Sequence, residues 1–232
     1  MLNLPWKPSL AAVIVASAIA SSAPIAQAFT IVTNSALAAD DFVSWSDFGP
    51  SFTSVPSGSQ ASSNLGNTVT VSMPSGDFFR LEQGNGWAGN FAPSAQLLWT
   101  RSNPGPLSIV FDTPVAGAGA QIQLNIGENQ VRTFTAFVEG FDSSNTSLGS
   151  VSLAGVSNNL GNNSAIFLGA VSDIPIARLA FSVVPTDELD RDFAIGQLDI
   201  RQVPVPPQVL GSLLFATLSA IKLRRQNKQQ SV

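Results

Sequence analysis

The chain has 232 residues, with 11 lysines and arginines against 15 aspartates and glutamates for a net charge of −4, and no cysteine, histidine or tyrosine. Without cysteine there is no disulfide framework. Without histidine there is no Ser-His-Asp or Cys-His nucleophile, no His-ligated zinc and no side chain that ordinarily titrates near neutral pH, so any chemistry falls to carboxylates, arginines, amides and hydroxyls.

At the amino end, Lys7 precedes an apolar core, Leu10 to Ala20, and a small-x-small site, Ala26-Gln27-Ala28. This order predicts a secretory signal peptide over residues 1–28, read by the general secretory machinery and cut by signal peptidase. A second cut is open after Ala36-Leu37-Ala38, and an uncleaved anchor is the alternative, although the apolar core is short for a span. Residues 29–41 read as a loose leader.

From 42 to 201 the pattern is β throughout. The clearest strand is Ala118 to Ile126, where Ala118, Ala120, Ile122, Leu124 and Ile126 alternate with Gly119, Gln121, Gln123 and Asn125, predicting one buried and one wet face. Other strands are expected at Phe42–Phe48, Thr68–Met73, Phe78–Glu82, Gln96–Thr100, Leu107–Phe111, Thr133–Phe141, Ser147–Leu153, Ser164–Ala170, Arg178–Val184 and Asp192–Ile200. Clusters of Gly, Pro, Asn, Asp and Ser separate them. In the last, Phe193 and Ile195 share one parity and Leu198 and Ile200 the other, which places a bulge at Gly196. Many short strands without helical periodicity predict an all-β antiparallel sandwich, jelly-roll-like, flanked by an N-terminal signal helix and a C-terminal hydrophobic helix.

Three constellations are candidates for function. In the glycine-rich segment 83–91, Trp87 with Gln83, Asn85 and Asn90 would suit a sugar, since an indole stacks on the flat C–H face of a pyranose while amides bond its hydroxyls. The simpler reading has Trp87 and Phe91 folded back as a plug. A glycosidase would need two carboxylates several ångströms apart, and the available glutamates are Glu82, Glu128, Glu139 and Glu188, with Glu139 in phase with Phe137 and Phe141. Finally, Asp187, Glu188, Asp190 and Asp192 crowd one turn. Carboxylates in a loop are usual calcium ligands, so Asp187, Asp190 and Asp192 are candidates for a structural calcium, joined by Asp40 and Asp41 if the first and last strands are neighbours. A solvated turn explains the same acids.

The carboxyl end carries Val203-Pro204-Val205-Pro206-Pro207, an apolar run from Val209 to Ile221, then Lys222, Arg224, Arg225 and Lys228. Thirteen helical residues rise about 20 Å, short of a bilayer core of roughly 30 Å, and the basic cluster would stay cytoplasmic. A permanent single-pass or amphipathic anchor is the alternative to a segment that is held and then cut. All 15 acids lie between the two terminal segments with six arginines, a net of −9 for the part between them, which argues against nucleic acid or an anionic membrane surface as partner.

The tail, residues 203–228, resembles the PEP-CTERM sorting signal, with Val205 where that family usually has Glu. The resemblance implies handling by an exosortase-type enzyme of the inner membrane in bacteria that make exopolysaccharide. Its sorting residues would be Val203, Pro204, Val205, Pro206, Lys222, Arg224 and Arg225. Within the domain, Gly86-Trp87-Ala88-Gly89-Asn90-Phe91-Ala92-Pro93, Gly117-Ala118-Gly119-Ala120-Gln121-Ile122 and Asp192-Phe193-Ala194-Ile195-Gly196-Gln197-Leu198 are similar to exported sandwich proteins with such tails. The expectation is a non-enzymatic surface or extracellular-matrix protein without a cofactor, transiently attached to the inner membrane, with an exopolysaccharide-binding module as the alternative and a glycoside-active enzyme as a distant third.

Overall fold

Alternating apolar and polar residues between Gly- and Asn-rich turns give an antiparallel all-β architecture. The computed structural model describes residues 29–103, 105–127, 131–186 and 192–204. In chain order the elements are β1 (Phe29–Val32), α1 (Asn34–Leu37), β2 (Asp41–Val43), a 3-10 turn (Trp45–Phe48), β3 (Thr53–Val55), β4 (Ser59–Ser62), β5 (Thr68–Ser72), β6 (Phe78–Gln83) and β7 (Gly86–Trp87). They continue with β8 (Gln96–Trp99), β9 (Leu107–Leu124), β10 (Arg132–Phe141), β11 (Ser147–Ser157), β12 (Ile166–Pro185) and β13 (Phe193–Arg201).

Two long strands organise the rest. The first part of β9 pairs with β5 and with the second part of β12, in a ladder that runs β4-β5-β9-β12-β10-β11. The second part of β9 pairs with the first part of β12 and with β13, in a ladder that runs β1-β12-β9-β13-β8-β6-β3. Strand β2 also pairs with β13, and β7 lies parallel to β6. The change-over falls at register shifts around Ile176, opposite Val115. Proline in a sheet interior forfeits a ladder hydrogen bond, so Pro114 and Pro175 belong at such a break.

Each long strand switches inward parity once. In β9, Leu107, Ile109 and Phe111 are buried, then Ala118, Ala120, Ile122 and Leu124. In β12, Leu179, Phe181 and Val183 follow Leu168. In β13, Phe193 and Ile195 give way to Leu198 and Ile200 across a register shift at Gly196, the expected bulge. These faces, with Trp45, Val69, Val71, Phe78 and Phe134, form one apolar cluster. The glycine pair Gly119 and Gly169, opposite one another in β9 and β12, lets the Phe167 ring lie flat across the ladder; a Cβ on either would collide with it.

Several expectations are corrected. Leu107–Phe111 and Ala118–Ile126 merge into the one strand β9, which ends at Leu124, and Ser164–Ala170 and Arg178–Val184 into β12, which begins at Ile166, because the ladder shifts register without ending. Phe42–Phe48 is a three-residue strand followed by a 3-10 turn. Residues 29–41 are not a loose leader: β1 pairs with Gly169–Ser172, the Phe29 ring packs against Gly140 and Gly149, and Leu37 is fully buried. Among the described residues no helix is long and apolar enough to cross a membrane. The two flanking helices expected from the sequence lie outside the described residues.

Candidate functional site

After β6 the chain reverses through Gly84 and Gly86, both at positive φ, and lays β7 beside β6 with Gln83 opposite Trp87. The glycines suit the tight reversal, and the Gly84 N–H donates to the Trp87 carbonyl (2.8 Å). The turn swings Trp87 and Phe91 onto the outer face of the β6-β8-β13-β9 ladder. There they join Leu81, Leu97, Ala165 and Ala194 in a second apolar cluster flanked by Phe79, Ala95 and Trp99.

Trp87 is 6% exposed, its ring 6.4 Å from Phe91 and 6.3 Å from Trp99. Its indole N–H donates to Gln123 Oε1 (3.3 Å), which also accepts from the Asn90 backbone N–H (2.7 Å); Gln123 Nε2 donates to the Asn158 carbonyl (2.9 Å). Gln123 was expected on a wet face, yet the 83–91 segment covers it. Gly89 sits where indole and amide meet, and a Cβ there would strike both.

The four candidate sugar contacts are therefore not arranged as a platform. Trp87 is a plug. Asn90, 1% exposed, is consumed: its Oδ1 accepts from the Asn158 N–H (2.6 Å) and its Nδ2 donates to Ser164 Oγ (2.8 Å). Gln83 is buried, with no partner for its Oε1. Only Asn85 faces solvent.

Beside the plug lies a cleft of about 370 Å³, lined by Trp87, Ala88, Trp99, Asn125, Gly127 and Asn159 among others. Its geometry depends on Asp192, which is 1% exposed. Asp192 Oδ2 accepts from the Trp99 indole N–H and from Asn125 Nδ2 (3.1 Å), while Oδ1 has no hydrogen-bond partner. Trp99, Asn125 and Gln123 were not singled out from the sequence. The available signal was a run of amides at 121, 123 and 125 on one strand parity, which reads equally well as an exposed face.

Asp187 and Asp190 lie outside the described residues, as do Glu128 and Glu188. Among the described residues no three acidic side chains converge. Strands β2 and β13 are neighbours, but antiparallel pairing sets Asp41 opposite Ile200, at the far end of β13 from Asp192, so Asp40 and Asp41 cannot share an ion with it. Asp41 instead accepts from Ser63 Oγ, the Leu65 N–H (2.9 Å), the Phe42 N–H (2.8 Å) and Gln202 Nε2 (2.9 Å). Burial pushes its pKa up, but these four donors, Ser63 foremost, outweigh that and hold it below the ordinary value.

Of the glutamates, Glu82 pairs with Arg80 (3.5 Å) on β6, while Glu139 accepts from Ser147 Oγ (2.7 Å) on β10 of the other ladder. The two are not neighbours. Val203 and Pro204 leave the fold exposed; Val205, Pro206, Lys222, Arg224 and Arg225 lie outside the described residues. No family model matches the chain and no curated protein is similar to it.

Proposed function

We propose that this chain is a non-enzymatic exported protein of the cell surface or extracellular matrix. Its β-sandwich is delivered by an N-terminal secretory signal and handled at its C-terminus by an exosortase-type enzyme through a PEP-CTERM-like tail. The sandwich is the two ladders facing one another across the larger apolar cluster, joined by β9 and β12, which run through both. A jelly roll is the finer form of the same reading.

The observation that carries the proposal is how the described fold holds its two ends. Phe29, which follows the predicted cut at Ala28, is paired in β1 opposite Ser172. Strand β13 closes at Arg201, and Gln202 is clasped back onto the start of the fold: its N–H bonds Asp40 (2.8 Å) and its amide bonds Asp41 (2.9 Å). Exposed Val203 and Pro204 then lead into the proline-rich tether. Cutting at these two points leaves every described strand intact. The internal use of Trp87, Asn90 and Gln123 fits a domain whose amides build structure. Expression with a C-terminal epitope placed after Val232, followed by fractionation, tests the reading: the epitope separates from the surface-exposed domain, whereas an epitope that stays with that domain rejects sorting by cleavage.

A further inference from the structure

We infer that the protein self-associates through β11, whose outer edge pairs antiparallel with the β11 edge of a second copy about a two-fold axis at Ser152. This interface does not depend on how the protein is exported or sorted.

A strand at the border of a sheet offers its outward backbone N–H and C=O groups to another strand, and proteins blunt such borders with short strands, charges, prolines or bulges. Of the four strands that end the two ladders, β1, β3 and β4 have four residues or fewer. Strand β11 has 11, and among the described strands it pairs with β10 alone. Its sequence, Ser-Leu-Gly-Ser-Val-Ser-Leu-Ala-Gly-Val-Ser, holds neither charge nor proline. The register shift falls at its start, opposite Gly140 and Phe141, and leaves residues 149–155 in regular pairing.

This stretch is complementary to itself. An antiparallel two-fold at Ser152 sets Gly149 opposite Gly155, Ser150 opposite Ala154, Val151 opposite Leu153 and Ser152 opposite its own copy, so small meets small and apolar meets apolar. Val151 and Leu153 stand opposite buried Val138 and Ala136, which puts both on the inward face of the sheet. Leu153 is nevertheless 38% exposed. Pairing lays Val151 of one copy beside Leu153 of the other and covers that inward face. Charge does not oppose the approach, even though the part of the chain between the terminal segments carries a net of −9. Glu139, the acid of β10, lies opposite Ser150, and across the seam its row continues through Ala154 to Thr135 of the second copy. The isologous pair closes at two copies because it uses up the edge that made it. Residues 149–155 span about 20 Å, a small contact, so the dimer forms at micromolar rather than nanomolar concentration.

The test uses the full-length protein in a mild detergent, with sedimentation to read its mass. Ser152 is exposed and lies on the axis, where directly opposed side chains stand about 5 Å apart. Wild type sediments as a dimer at about 100 μM. Ser152→Lys and Ser152→Glu each place like charges on the axis and weaken the dimer by about tenfold or more, with unchanged circular dichroism, and mixing the two variants restores it. Association through any other segment would not follow that charge exchange. In a chain without cysteine, Ser152→Cys oxidised with copper phenanthroline links to its own copy, whereas Gln60→Cys, exposed on β4, does not. A monomer at that concentration would overturn the proposal. So would a mixture no more dimeric than either charged variant alone, or equal linking at the two cysteines.

Discussion

The indole N–H of Trp45 donates to the carbonyl of Gly196 (2.6 Å), joining the turn after the second strand to the bulge in the last. A bulge frees a backbone carbonyl from its ladder, and here a fully buried tryptophan takes it up. Trp45→Phe keeps most of the ring and leaves that carbonyl unpaired, so it is expected to cost about 1–3 kcal/mol; Trp45→Ala adds a cavity and costs roughly 3–5 kcal/mol. Urea denaturation measures both, and a phenylalanine variant as stable as wild type would show the bond to be idle.

Trp87→Ala removes the ring that covers Gln123 and is expected to lose roughly 3–5 kcal/mol. Gln123→Leu strands two buried donors, the Trp87 and Asn90 N–H groups, at about 1–3 kcal/mol each. A loss below about 1 kcal/mol for Trp87→Ala would return the indole to the surface role that the fold denies it.

Asp41 makes the fold acid-sensitive. Its folded pKa lies below the unfolded value, so the carboxylate's contribution is present in full above the unfolded pKa and disappears as pH falls through the folded one. Stability should therefore drop between mildly acidic pH and pH well below 3.8. Asp41→Asn should be less stable at neutral pH and lose less on acidification. Parallel pH dependence of the two proteins would assign the acid sensitivity elsewhere.

The first nine residues of the described fold bear on where the signal is cut. Removal after Ala28 leaves Phe29 and Leu37 in place; removal after Ala38 strips β1 and uncovers the pocket of a fully buried leucine. Leu37→Ala in the protein starting at Phe29 is expected to cost about 2–5 kcal/mol. A thermal melt indistinguishable from wild type would mean that this segment packs without contributing.

Strands β5 and β10 are legible in the sequence because each keeps one alternation, and β6 and β8 because their short apolar runs lie between clear turn signals. The long strands β9 and β12 are not, since Pro114 and Pro175 coincide with a parity switch. A switch of parity looks like a strand end unless the ladder is seen to continue past a register shift. The Gly196 bulge was readable because the same switch fell on a glycine without a proline. Strands β3, β4 and β7 are three, four and two residues long, too short to show a period. Of the candidate site, the Trp87–Phe91 plug could be argued from the residues. Its acceptor Gln123, and the bonds from Trp99 and Asn125 to Asp192, could not. They join residues 36, 93 and 67 positions apart through polar groups that look solvent-facing when only their own strand is considered.

The most direct test of export and sorting is the intact mass of protein released from the cell surface. The account predicts a species that begins at Phe29 and ends near the Val203–Pro207 segment, without Lys228. Recovery of a chain that still carries Met1 or Lys228 would contradict it.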